Sequence, residues 1–299
     1  ISFVVTNVVD QAENGINETA ISDVIYYDVD QPVIVLEANQ QLLNTTNIGS
    51  NAITFTITST KPMSTVDLPS IDFSADLVSI STLTFNAFLS SWVDEFTCNM
   101  VYDLGSGSIE YSFVDVEING LTDLSGNLPV ELNFEDVFLL DTKRPETTSL
   151  VANYDFINDA AAIGTNFQID LTFSEEMNQV SFTPLVSIKD QNGISIAGVS
   201  YNVFQSSWIA PDLFRARFNV TDLNYEIEDL VVEVSLARDI SNNQMILSTT
   251  DSPFTLDTKN PKLVDFEISE NVLNQNSTSV VITTTYDEPM LSGDVPNFL

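Results

Sequence analysis

Phe167-Gln168-Ile169-Asp170-Leu171-Thr172-Phe173 places an apolar side chain at every odd position and a polar one at every even position. A period of two belongs to an extended strand, whose successive side chains point to opposite faces, whereas a helix would repeat near 3.6. One face lies on a core and the other meets water, the pattern of an antiparallel sheet. The same alternation runs through Phe214-Arg215-Ala216-Arg217-Phe218, and through Asp229 to Leu236, where Leu230, Val232, Val234 and Leu236 share a face. Turn signals such as Asp190-Gln191-Asn192-Gly193 and Ser125-Gly126-Asn127 separate the runs. No segment has the apolar spacing of an amphipathic helix. The predicted fold class is all-β, built as Greek-key sandwiches of antiparallel sheets.

The strands recur in a larger period. Asp10-Gln11-Ala12-Glu13-Asn14 is followed eighteen residues on by Asp28-Val29-Asp30-Gln31-Pro32. Asp123-Leu124-Ser125-Gly126-Asn127 and Asp141-Thr142-Lys143-Arg144-Pro145 repeat that spacing, as do Asp239-Ile240-Ser241-Asn242-Asn243 and Asp257-Thr258-Lys259-Asn260-Pro261. The offsets are 113 residues (28 to 141) and 116 residues (141 to 257). Ser90-Ser91-Trp92 returns as Ser206-Ser207-Trp208, and a strand leading to a methionine occurs before Met63, Met177 and Met290. So many features in one order mark an internal repeat. It divides the chain into the tail of one module (1–27), two full modules (28–140 and 141–256) and the start of another (257–299). An excerpt of a longer tandem array is expected.

Composition removes several functions. Nine Lys and Arg stand against 43 Asp and Glu, a formal charge of −34, which argues against nucleic acid and anionic lipid as partners. With no histidine there is no Ser-His-Asp or Cys-His chemistry and no imidazole ligand. Cys98 is alone, so no disulfide framework exists within the chain, and burial as a small apolar residue is expected. No apolar run approaches a membrane span, so no membrane insertion is expected in this segment. Paired carboxylates repeat with the module, whereas an active site normally occurs once; a non-enzyme is expected. The acidity itself has two readings: a solvated, aggregation-resistant surface, or divalent-cation binding.

Phe173-Ser174-Glu175-Glu176-Met177, Asp123-Leu124-Ser125-Gly126-Asn127 and the Leu-Asp-Thr-Lys-x-Pro segments at 140–145 and 256–261 resemble the bacterial immunoglobulin-like repeats of giant surface proteins, those of surface layers and Bacteroidetes-type adhesins above all. The resemblance implies sandwiches arranged end to end, a location outside the cell or on a bacterial surface, a spacer role in adhesins or filaments, and calcium near the junctions. Neighbouring modules of the same chain are then its first partners. A homo-oligomeric fibre stays open, and the ligand of any adhesive tip lies outside this segment.

In such a sandwich, strand A starts at the end where strand B finishes and the F–G turn lies. The linker Asp before Pro should therefore meet those two corners. For the second full module this groups Asp141, Glu175, Glu176, Asp239 and Asn243; the next junction offers Asp257, Asp287 and Glu288. Oxygen ligands without nitrogen or sulfur suit Ca²⁺. At the first junction Asp28, Asp30, Asp123 and Asn127 are available, but Thr60 and Lys61 occupy the corner. Lys61 there stands in for the ion by a salt bridge, and a weaker or absent site is expected. The plainer readings are tight turns for Asp-x-x-Gly-Asn and a stiff proline linker for Asp-Thr-Lys-x-Pro. The functional expectation is a structural shaft or spacer. A carbohydrate- or host-binding module and a non-catalytic region of a secreted enzyme are the alternatives. Trp92 and Trp208 are expected to pack on the sandwich core.

Overall fold

The computed structural model describes residues 3–5, 9–15, 19–21, 26–159, 167–270, 272, 275, 279–291, 293 and 296. They form two compact units, Ile1–Lys143 and Arg144–Leu299. The first contains β1 (Phe3–Val5), β2 (Thr19–Ile21), β3 (Ile34–Ala38), β4 (Leu42–Leu43), β5 (Gly49–Ser59), β6 (Ser70–Ala75), β7 (Val78–Ser79), β8 (Leu83–Phe85), β9 (Ser91–Trp92), β10 (Thr97–Leu104), β11 (Glu110–Asn119) and β12 (Asn133–Asp141). Strands β1 and β2 pair with each other. The rest make two sheets, β3-β5-β10-β8 with β9 also on β10, and β4-β12-β11-β6-β7. With β3 as A, β5 as B, β6 as C, β8 as D, β10 as E, β11 as F and β12 as G, the orders are A-B-E-D and G-F-C, those of an immunoglobulin-type sandwich. Pairing is antiparallel except for β4, which lies parallel to β12.

The second unit contains β13 (Thr147–Ala152), β14 (Phe156–Ile157), β15 (Phe167–Phe173), β16 (Leu185–Asp190), β17 (Val199–Tyr201), β18 (Ser207–Ala210), β19 (Leu213–Val220), β20 (Glu226–Ile227), β21 (Leu230–Ser235), β22 (Ser248–Asp251), β23 (Thr255–Asp257), β24 (Leu263–Ile268) and β25 (Ile282–Tyr286). One sheet repeats the first unit's order, β13-β15-β19-β17 with β18 on β19. Its opposite number comes in two pieces, β14-β23-β20 and β16-β21-β22. The break falls where Pro253 offers no N–H and Ser252 bonds its own neighbourhood, its Oγ donating to the Phe254 carbonyl at 2.7 Å. Strands β24 and β25 pair separately.

Each sandwich closes on its own core. In the first, Phe55, Phe73, Tyr102 and Phe138 interlock with ring centroids 4.9–6.2 Å apart. In the second, Phe167 packs on Phe218 and Phe254. Along β15 the odd positions are buried and the even ones half-buried, as the alternation requires. On the outer face Asp170 stands opposite Arg215 and receives its guanidinium at 2.7 and 2.8 Å. Cys98, Met63 and Met177 are buried; burial pushes the Cys98 thiol up to about 12. Trp92 and Trp208 are half-buried against the two cores. Two expectations change. Leu236 does not extend the apolar face of β21: the strand stops at Ser235, and Leu236 turns outward at φ 64°. Met290 is 50% exposed rather than a core plug. Among the described residues no helix is long and apolar enough to cross a membrane.

Candidate functional site

Three segments of the first unit meet at one cation. Lys61 sits at the corner after β5, and its ammonium donates to Asp28 Oδ1 and Oδ2 (3.0 and 2.8 Å), to the Asp30 carbonyl (2.6 Å) and to Asp123 Oδ2 (2.8 Å). Asp28 belongs to the linker and Asp123 to the turn between β11 and β12. The Asp123 side chain is 1% exposed, that of Lys61 25%. Ser125 Oγ donates to Asp28, and Asn127 Nδ2 donates to the Asp28 carbonyl. One ammonium thus ties linker, corner and turn together, as the fold argument anticipated for Lys61.

The turn is prepared for this. Asp123 Oδ1 accepts the Ser125 and Asn127 amides at 2.9 and 2.8 Å, which leaves Oδ2 for Asn127 Nδ2 and Lys61. Gly126 lies at φ 86°, a conformation that costs glycine little. The same loop recurs twice. Asp10 accepts Ala12 and Asn14 amides with Glu13 at φ 65°, and Asp239 accepts the Asn243 amide and Nδ2 with Asn242 at φ 69°. The plain reading of Asp-x-x-Gly-Asn as a tight turn is thus present, with Lys61 paired to its aspartate. Burial works against charge on Asp123, yet Lys61, Asn127 and Ser125 hold its carboxyl far below the usual carboxylate range. Lys61 and then Ser125 lower Asp28, and Asp123 and then Asp28 raise Lys61.

The linkers share a second device. The backbone N–H two residues on donates to Oδ1 of Asp28, Asp141 and Asp257 at 3.0–3.1 Å. In Asp-Thr-Lys the threonine is buried and sewn to the preceding module: Thr142 N donates to Ile109 O, and Thr258 N to Tyr225 O. The lysines then reach Glu110 and Glu226 at 3.0 and 3.3 Å. Hydrogen bonds thus fasten each of these Asp-Thr-Lys segments to the strands before it.

In the second unit Asp257 ends β23 opposite Glu226 of β20. Carboxylate oxygens of Glu226, Asp257 and Glu288 lie within 4.8 Å of one another. Ligands on opposite sides of a Ca²⁺ ion stand about that far apart, at roughly twice 2.4 Å. Glu288 Oε1 is buried without a hydrogen-bond partner. An all-oxygen set with one unsatisfied atom suits a hard cation, although the Lys259 ammonium already stands 3.3 Å from Glu226. Glu226 escaped the sequence reading, although its repeat at 110 and 226, each across a strand pair from a linker Asp, was the available signal.

Of the other predicted ligands, Asp287 lines the same cavity as Glu226, Asp257 and Glu288. Asp30 is exposed and offers Lys61 its backbone carbonyl. Glu176 is exposed and accepts the Ile240 amide through its carbonyl. Asp287 accepts the Lys262 amide at 2.8 Å, and that bond, with the lysine charges, keeps its carboxyl below the ordinary range. Asp141 is buried at the end of the first unit; in the second, Asp239 and Asn243 are buried and Glu175 is half-buried.

No family model and no curated protein matches the chain.

Proposed function

We propose that the chain is a stretch of the repetitive shaft of a bacterial surface adhesin or extracellular filament, a spacer whose junctions are braced by cations. The observation that carries this reading is the Lys61 ammonium holding linker Asp28, the Asp30 carbonyl and turn Asp123 at once. Such a tie gives no binding surface and no chemistry; it restrains a hinge. The sandwich is a common scaffold for many functions, so the spacer role rests on the repeated linkers and not on the fold.

The repeat then says what braces the other junctions. Aligning Met63, Met177 and Met290 puts Glu175 and Glu288 at the position of Lys61, while Asp141 and Asp257 align with Asp28, and Asp239 with Asp123. Where the corner is lysine the brace is internal; where it is glutamate we assign a cation from solution, which at Glu288 would share Glu226 with Lys259. Ca²⁺ is our choice, held by Glu226, Asp257 and Glu288 of the second unit. Calcium at extracellular concentrations suits sites of about 0.1–1 mM affinity.

Small-angle scattering of the chain in calcium and in chelator tests the spacer role. An extended particle that gains conformational spread when calcium is removed is the expected result. A compact particle with the same profile in both buffers would refute it.

A further inference from the structure

We propose that the loop between β8 and β9, and its counterpart between β17 and β18, is a self-association contact through which a second copy of this chain docks. Asn86-Ala87-Phe88-Leu89-Ser90-Ser91-Trp92 and Asn202-Val203-Phe204-Gln205-Ser206-Ser207-Trp208 are 116 residues apart. Phe88 is 101% and Phe204 97% exposed. Single exposed apolar residues are ordinary. A ring presented in the same way by both full modules is not, when most other surface positions differ between the copies.

The loop is built to hold the ring out. Asn86 N donates to Val101 O (2.9 Å), and Ser90 Oγ accepts from Val101 N (2.8 Å) while donating to Asn86 O (2.8 Å). In the second unit Asn202 N donates to Arg217 O (2.8 Å), and Ser206 Oγ accepts from Arg217 N (2.9 Å) and donates to Asn202 O (2.8 Å). The Asn86 amide adds a bond to Asp103, and that of Asn202 a bond to Asn219. Little order remains to be imposed on binding, which favours contact by a preformed knob.

The occupant follows from period and charge. The knob recurs once per module, so a partner that engages many knobs must share the module spacing, and another copy of the same array has it by construction. Weak single contacts then add through avidity. The chain carries −34, so like copies repel. Yet no charged residue occurs from Leu77 to Val93 or from Gln191 to Pro211. The knobs stand in segments that carry no charge of their own, and the carboxylate of Asp103 beside the first is engaged by the Asn86 amide. An anionic membrane would be repelled by the rest of the surface. A sugar would want free polar groups beside the ring, and those of Asn86, Ser90, Asn202 and Ser206 are engaged in the loop frame.

The proposal rests on the spacer reading only for the number of modules it multiplies. Sedimentation velocity of the chain at 10–300 μM, in about 0.15 and 0.5 M NaCl, should show a reversible dimer that grows with salt. Phe88→Ser with Phe204→Ser should weaken it about a hundredfold, roughly tenfold per ring, with an unchanged circular dichroism spectrum. Leu77→Ser, a fully exposed residue outside the loop, should leave the dimer intact. A chain monomeric in both salts, or a dimer indifferent to the double variant, would overturn the proposal. So would Phe88-dependent binding to phosphatidylglycerol vesicles or to a polysaccharide by a chain that stays monomeric. Scattering from the monomer decides the spacer reading separately, so the two can fail apart.

Discussion

The corner after the second strand of each sandwich carries opposite charge in two otherwise similar settings. In the first module Lys61 fills it and bonds Asp28 and Asp123. In the second, Glu175 occupies the aligned position in the sequence, where Asp141 aligns with Asp28 and Asp239 with Asp123. Both turns have the same Asp-to-Asn hydrogen bonds, and both linkers the same bond from the backbone amide two residues on. The scaffold is therefore indifferent to the corner residue. On the proposed reading, what changes is the source of the positive charge: a side chain that never leaves, or an ion whose occupancy follows its concentration.

The comparison breaks most severely if the two units are not independent. Phe55→Ala should remove about 3–5 kcal/mol from the first core and leave the unfolding of the second unit where it was. Phe167→Ala should do the reverse. Urea unfolding followed separately through Trp92 and Trp208, each in a variant lacking the other tryptophan, reads the two transitions. A common shift from either substitution would mean one cooperative body.

Asp123→Ala comes next. It removes the bonds to the Ser125 and Asn127 amides and Lys61's buried partner, and we expect a loss of about 2–4 kcal/mol, measured by the urea midpoint of the first unit. Asp190→Ala, in an exposed turn of similar bonding, should cost clearly less. Equal losses would show that the turn alone matters and the ammonium does not.

Acid sharpens the same point with a smaller effect. Asp28 and Asp123 titrate below their unfolded values. Their contribution is thus present above about pH 4 and is lost as pH falls through the folded values. Lys61→Met should narrow the gap between the stability of the first unit at pH 7 and at pH 3. A gap as wide as in the unaltered chain would remove Lys61 from the explanation.

The strands were legible because alternation survives in β15, β19 and β21, and the repeat was legible because Asp, Pro and Trp stay at fixed intervals. The Lys61 bridge followed from topology plus one aberrant residue. Other features had no local signature. Asp30, Glu176 and Asp287 are acids beside the right corners, but which way a carboxylate points is set by backbone bonds that a sequence does not display. Leu236 fits the apolar period until the chain leaves the strand in a left-handed turn. Glu226 was hidden because it belongs to the F strand of the preceding module and meets Asp257 only across the sheet.

The central claim, that the corner residue decides between lysine and calcium, is tested most directly by calorimetric titration of CaCl₂ into the unaltered chain, Glu288→Lys and Lys61→Glu. The account predicts saturable binding at about 0.1–1 mM, one site fewer in Glu288→Lys and one more in Lys61→Glu. Identical binding in all three proteins, or none in any, would contradict it.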